Sequence, residues 1–234
     1  MYASWTRCPP GQGTATDDGR HVLRILHNTI MRSSAPWWAL LSSAAAPAVL
    51  IGGWTLAAQR QPDGYDSTVA TISALAARDA TDRWLMTGAL LGVGVCHVVT
   101  ALGLSPAAPA GRIMLGLGGV ATALVAVFPL PAAGGAPAHA VAAGVAFLAL
   151  AVWPALAPRR GGRGPAALRP VVSVAAAAAL LGLVAWFGAT LGTGGPVGLT
   201  ERLAAGAQAC WPLVAVLSGR LHTRRAATTR PRSR

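Results

Sequence analysis

Long apolar stretches without charge alternate along the chain with short segments that hold most of its charged residues. A helix that crosses the hydrocarbon core of a bilayer needs about 20 mostly apolar residues, and six stretches meet this requirement. The length of these stretches, and the lack of ten-residue alternation typical of membrane barrel strands, favours helices. The pattern predicts an all-α fold, a polytopic membrane protein with a six-transmembrane-helix bundle. The predicted spans are Trp37–Ala58, Arg83–Leu104, Gly111–Leu130, Pro137–Ala157, Pro170–Leu191 and Glu201–Arg220.

The spans divide the chain into three parts. Residues 1–32 are polar and irregular and are predicted to be a disordered cytoplasmic tail, residues 33–220 the membrane domain, and residues 221–234 a basic cytoplasmic tail. Within the spans, small residues four positions apart let helix backbones approach closely, so we expect them at helix contacts. These pairs are Ala48 with Gly52, Gly88 with Gly92, Ala140 with Gly144, and Gly188 with Gly192.

Charge predicts the orientation of the spans. The formal net charge is +12, only 11% of the residues are charged, and all 19 basic residues are arginine. Membrane proteins keep basic residues on the cytoplasmic side. With the amino terminus inside, fifteen arginines lie on the cytoplasmic side and four on the outer side, namely Arg60, Arg78, Arg83 and Arg202. We therefore expect both termini in the cytoplasm.

Composition also bears on location and partners. Absence of lysine beside abundant alanine, glycine and arginine is typical of GC-rich bacterial genomes, so we expect a multi-pass protein of the bacterial cell membrane. The arginines do not form one basic face, and the preference of basic residues for the cytoplasmic side explains their placement without a nucleic-acid partner. The expected partners are the lipid bilayer and a lipid or apolar ligand.

The first predicted outer loop, residues 59–82, is the longest connection and holds most of the outer charge. Asp66 is suited to cap a short helix, because a carboxylate accepts hydrogen bonds from the free amides of a helix start. Val69, Ile72 and Ala76 then share one face at helical spacing. The loop is predicted to contain a short amphipathic helix that lies on the outer membrane face or covers the mouth of the bundle.

Three short motifs in this region carry a resemblance. They are Gly64-Tyr65-Asp66, Thr71-Ile72-Ser73-Ala74-Leu75 and Asp82-Arg83-Trp84-Leu85-Met86. The chain, over roughly residues 37–220, resembles a bacterial membrane family known as domain of unknown function 998 (DUF998). That family is in turn similar to the Frag1/DRAM/Sfk1 membrane proteins. The resemblance implies six helices with this loop after the first, and it implies no reaction.

Ionisable side chains inside membrane spans are candidate functional groups. His97 lies inside the second span, either as a neutral histidine that is hydrogen-bonded to another helix or as a proton relay or ligand contact. On the outer side, His139, Glu201 and Arg202 are expected to converge beneath the first loop, near Asp63, Asp66 and Asp82. Such a carboxylate–histidine cluster would bind a cation or act in acid–base chemistry; alternatively, Asp82 and Glu201 each cap a helix start. The candidate ligand-binding residues are Tyr65, Asp66, Ser73, Asp82, His97, His139, Glu201 and Arg202.

Three functions remain open. The chain binds a lipid or apolar small molecule in an outward-facing cavity, as a sensor or accessory subunit; or it is a small transporter with inverted repeats, as prolines at Pro47 and Pro212 suggest; or it is an enzyme that acts on lipid headgroups. It lacks HExxH, GxSxG and P-loop motifs and any Cys/His spacing for zinc. We therefore favour a non-enzymatic role and expect no metal and no cofactor.

Overall fold

The computed structural model of the protein describes residues 35–159 and 164–228. Within these ranges the chain forms helices and loops and contains no strand, which confirms the all-α prediction. The predicted tail over residues 1–32 lies outside the described residues. The six long helices are α1 (Trp37–Ala58), α2 (Trp84–Gly103), α3 (Pro109–Val127), α4 (Pro137–Leu156), α5 (Pro170–Thr193) and α6 (Val197–Thr228).

Helices α1 to α5 are long and apolar enough to cross a membrane, which indicates a membrane protein. Helix α6 is not in this set. It is 32 residues long, but Glu201, Arg202 and Gln208 make its first half more polar, and its last turns are basic. Residues 221–228, in the predicted basic tail, continue this helix. The sixth membrane span therefore stays a prediction.

The helix boundaries follow local chemistry. Pro109, Pro137 and Pro170 are the first residues of α3, α4 and α5. Proline suits this position because its fixed φ matches a helix and its missing amide hydrogen would have no intrahelical partner there. Helix α5 ends at Gly194, whose φ of 72° is left-handed and is adopted by glycine without steric cost.

The helices pack in chain order, and α6 closes the bundle by packing against both α1 and α5. Helix α6 also contacts α2 and α4, so part of its surface faces the interior. Helix α5 is peripheral, because only 17% of its apolar segment is buried inside the bundle, against 50% of the apolar segment of α2. Large apolar side chains such as Leu102 and Ile113 are exposed on the outside of the bundle, as expected for a surface that contacts lipid.

Helices α2 and α3 approach each other most closely at two glycines. A Cβ added to Gly94 would lie 2.6 Å from the Gly119 carbonyl oxygen, and one added to Gly119 would lie 2.7 Å from the Gly94 oxygen. By contrast, a Cβ would meet nothing within 4 Å at five of the six glycines in the predicted pairs, namely Gly52, Gly88, Gly144, Gly188 and Gly192. The prediction that these five lie at tight helix contacts is wrong, because spacing alone does not say which helix face meets a neighbour.

The loop between α1 and α2 folds into the bundle instead of forming the expected amphipathic helix. Its only helical part is one 3₁₀ turn, Ser73–Ala76. Ile72 is 3% exposed and packs in the apolar core, whereas Val69 is 59% exposed, so the predicted apolar stripe is divided. The helix does not form because Asp66 closes a local turn with Thr68 and the amide of Ile72 bonds to another helix.

Candidate functional site

A small cavity lies inside the bundle beneath the first loop. Its volume is about 60 Å³, which is room for about four water molecules, since each needs roughly 10–15 Å³ of such space. The walls are mostly apolar and come from the loop, α1 to α4 and α6, with side chains such as Leu50, Val93 and Phe147. Among the described residues, five polar side chains also line it: Ser73, His97, Thr122, Glu201 and Gln208.

Glu201 connects this cavity to the loop. Its side chain is only 4% exposed. One carboxylate oxygen accepts a hydrogen bond from the backbone amide of Ile72, and the other lies 3.4 Å from the Ser73 hydroxyl oxygen. The hypothesis that Glu201 only caps its own helix start is not favoured, because its carboxylate binds the loop and lies beyond the first turn of α6.

Arg202, the next residue of α6, binds another part of the same loop. Its guanidinium donates four hydrogen bonds of 2.6 to 3.0 Å. Beside it, Gly198 packs so closely on the loop backbone that a Cβ at this position would overlap the carbonyl oxygen of Ala70. We call residues 65–73 the plug, because α6 holds this segment over the cavity. The acceptors of Arg202 are the carbonyl oxygens of Ser67, Ala70 and Gly198 and the hydroxyl of Tyr65.

His97 is a second unusual polar group in the cavity lining. The residue is 1% exposed, and its Nδ1 has no hydrogen-bond partner within residues 35–159 and 164–228. A buried polar atom without a partner costs about 1–3 kcal/mol. The expected hydrogen bond of His97 to another helix is thus not made through Nδ1 by the described residues, and the role of a ligand contact stays a prediction.

Gln208 and Thr122 line the cavity and were missed by the sequence analysis. The Gln208 side-chain amide donates to the carbonyl of Phe147 on α4 at 2.8 Å, which links α6 to α4. The Thr122 hydroxyl donates to the carbonyl of Gly118 within α3, also at 2.8 Å. A lone amide in a mostly apolar helix is a signal that could have identified Gln208. No comparable signal identifies Thr122, because a threonine bonded within its own helix is ordinary.

Two of the expected site residues lie on the surface. Asp66 is exposed and accepts hydrogen bonds from the hydroxyl and the amide of Thr68 at 2.7 and 2.8 Å. These bonds lower the pKa of the Asp66 carboxyl below its ordinary value of 3.8. Asp82 lies 3.7 Å from the Arg60 guanidinium, and both side chains are more than half exposed. Neither acid belongs to the cavity lining.

His139 lies at the start of α4, where its Nδ1 is 2.8 Å from the carbonyl oxygen of Phe128 at the end of α3. Its hydrogen bond therefore joins two consecutive helices. In the described ranges, no group of three or more His, Cys, Asp or Glu side chains is suited to hold a metal ion. Of Asp66, His139 and Glu201, only Glu201 lines the cavity, and the hydrogen bonds of the described residues do not join the three to one another.

Comparison with known proteins adds one finding. A family model described as "Protein of unknown function (DUF998)" matches residues 43–218. The matched region includes all of α2 to α5, most of α1 and α6, the plug, and every residue of the cavity lining. No curated protein and no solved structure matches the chain.

Proposed function

Since the chain belongs to the DUF998 family, whose function is unknown, we propose a function from the chemistry of its cavity. The protein binds a small, mostly apolar molecule that carries one hydrogen-bonding group, and it acts as a sensor or accessory protein of the cell membrane. One observation carries this proposal: a cavity with apolar walls is lined by His97, whose Nδ1 has no partner among the described residues.

The proposal includes a sixth membrane span. Helix α6 has 32 residues, which gives a length of about 48 Å at about 1.5 Å per residue, more than the roughly 30 Å of hydrocarbon. Its polar residues Glu201, Arg202 and Gln208 bind the plug and α4. Each of these residues therefore has a hydrogen-bond partner within the protein, which supports a span despite their polarity.

Arginines support an orientation with both described ends of the chain in the cytoplasm. Arg112, Arg159 and Arg220 lie at the end of the bundle opposite the plug, where they donate hydrogen bonds to backbone carbonyls of that end, among them Ala101 and Ala35. Basic residues concentrate on the cytoplasmic side of membrane spans. The plug then lies on the outer side, and the cavity opens toward it.

The size of the cavity restricts the ligand. Space for about four waters corresponds to a molecule of about four or five non-hydrogen atoms, which excludes a whole phospholipid from the cavity in this conformation. Apolar walls with a few polar groups are the usual composition of small-molecule sites. The ligand is therefore a short aliphatic molecule with one polar end.

The two alternative functions have less support. The enzyme hypothesis needs Asp66, His139 and Glu201 in one site, whereas only Glu201 of the three lines the cavity. The transporter hypothesis relies on the prolines within α1 and α6, Pro47 and Pro212. Proline is common in membrane helices, so this feature does not distinguish a transporter.

A binding measurement tests the proposal. The full chain in phosphatidylcholine nanodiscs is titrated with 1-propanol, and saturation-transfer NMR detects the bound alcohol, with empty nanodiscs subtracted. Ala146→Phe fills the cavity, while Val141→Phe places the same side chain on the lipid-facing side of the same helix. We expect saturable binding by the wild type and Val141→Phe and its loss in Ala146→Phe. Equal signals from all three folded proteins would refute the proposal.

A further inference from the structure

Glu201 places a carboxylate in the wall of a largely apolar cavity. Within the described ranges, no basic side chain lies within 4.0 Å of it. We propose that the natural ligand class is a small alkylammonium ion, whose cationic group binds the Glu201 carboxylate and whose hydrocarbon part contacts the apolar walls. This inference rests on the proposed function and specifies the chemistry of its ligand.

A charged Glu201 needs a compensating partner in this mostly apolar cavity. Moving a carboxylate from water into a protein interior costs several kcal/mol unless a partner compensates it. The amide of Ile72 and the hydroxyl of Ser73 supply partial positive charge only. Arg202 attracts the carboxylate electrostatically, but its guanidinium donates to the plug and α6 and does not form a direct ion pair with Glu201 within 4.0 Å. A cation in the cavity would complete the compensation.

The polar groups of the lining are suited to accept hydrogen bonds from an ammonium group. An ammonium group has three N–H donors and no acceptor, so it needs several acceptors around it. The carboxylate of Glu201 is one acceptor, and His97, whose Nδ1 has no partner among the described residues, lines the same cavity. The hydroxyl oxygen of Thr122 donates its hydrogen to Gly118 and keeps its lone pairs for a further donor.

The composition of the lining does not favour a bare metal cation as the ligand. Calcium and magnesium bind six or more oxygen atoms, whereas the cavity lining has one carboxylate and otherwise mostly apolar side chains, such as Leu90, Val125 and Leu150. A short alkyl chain removes its own apolar surface from water against these walls, with a gain of about 25 cal/mol per Å². Apolar walls with one acidic group therefore favour an amine over a metal ion.

The test uses three probes of the same length on the full chain in phosphatidylcholine nanodiscs: n-propylammonium, 1-propanol and propionate. A hydrogen bond to a charged group contributes about 1.5–3 kcal/mol, so we expect propylammonium to bind at least about tenfold more tightly than propanol. Propionate should bind least, because the carboxylate of Glu201 repels it. Sodium chloride at equal ionic strength controls for general salt effects.

Matched variants assign the effect to one residue. Glu201→Gln keeps an oxygen that accepts from the Ile72 amide and removes the charge, so it should abolish the preference for propylammonium while propanol still binds. Asp82→Asn removes an exposed carboxylate and should change nothing. The probe comparison on the wild type remains decisive if Glu201→Gln does not fold.

The outcomes separate the two proposals. If propanol binds as tightly as propylammonium, or if the folded Glu201→Gln protein keeps the preference, the alkylammonium inference is refuted and the cavity function stands. If neither probe shows saturable binding that Ala146→Phe removes, both are refuted.

Discussion

The carboxylate of Glu201, near the start of the last helix, accepts a hydrogen bond from the backbone amide of Ile72, 129 positions earlier in the chain. Both residues line the same cavity. This bond fixes the first loop on α6. Glu201 therefore belongs both to the cavity lining and to the hydrogen bonds that hold the plug on α6.

Glu201→Ala should destabilise the protein more than Glu201→Gln. Alanine leaves the buried amide of Ile72 without an acceptor, and such a loss costs about 1–3 kcal/mol, whereas glutamine retains an acceptor oxygen. Thermal unfolding of the purified variants in detergent measures the difference, with Asp82→Asn as an exposed control. Equal unfolding midpoints for the alanine and glutamine variants would contradict a structural role for this bond.

Gly198→Ala should loosen the plug without changing any charge. A Cβ at this position overlaps the carbonyl oxygen of Ala70, and forced overpacking of this kind costs about 1–3 kcal/mol. Hydrogen exchange measured by mass spectrometry should become faster in residues 65–73. Gly188→Ala is the control, because a Cβ there meets no atom within 4 Å; faster exchange in the control as well would count against the specific contact.

Gly119→Ala should destabilise the pairing of α2 with α3. The new Cβ would lie 2.7 Å from the Gly94 carbonyl oxygen, so the helices must separate, at a cost of about 1–3 kcal/mol. Gly144→Ala on α4 has open space around it and should be neutral or slightly stabilising, because alanine favours a helix more than glycine does. Thermal unfolding distinguishes the two variants, and an equal effect of both would show that α2 and α3 do not approach closely at Gly119.

Labelling of single cysteines should show that positions 63 and 222 lie on opposite sides of the membrane, as six spans require. In a chain whose native cysteines Cys8, Cys96 and Cys210 are replaced by serine, a cysteine at exposed Asp63 should react with a membrane-impermeant maleimide on intact cells. A cysteine at exposed His222 should react only after permeabilisation, because α6 carries it to the cytoplasmic side. Labelling of both positions on intact cells would refute a sixth span in the proposed orientation.

The turn at Asp66 should respond to acid. Hydrogen bonds from Thr68 lower the folded pKa of this carboxyl below 3.8, so the turn is stabilised above the unfolded pKa and loses this contribution as the pH falls through the folded pKa. Thr68→Val removes the hydroxyl and should raise the pKa toward 3.8. Carbon-13 NMR of the Asp66 carboxyl measures the shift; an unchanged titration would show that the hydroxyl bond is absent.

The sequence alone predicted the six long helices and the membrane character of the chain. The predicted and observed bounds of the first helix agree, Trp37–Ala58, and those of the second differ by one residue at each end. The last helix, Val197–Thr228, extends beyond the predicted Glu201–Arg220 at both ends. The reason is physical: in lipid, backbone hydrogen bonds must be satisfied within the segment itself. The length of an apolar run and its lack of charge are therefore sufficient to predict a membrane helix. The motifs around the first loop also predicted the family, which the match over residues 43–218 confirms.

Only the tertiary structure decided which polar residues meet. Asp66, His139 and Glu201 are all suited to a site by residue type, yet only Glu201 lines the cavity, because helix rotation and loop path determine which side chains face inward. The same holds for packing: Gly94 and Gly119 meet across α2 and α3, while Gly88 faces open space. Helical spacing specifies one face of one helix, whereas a site or a contact requires the relative placement of several.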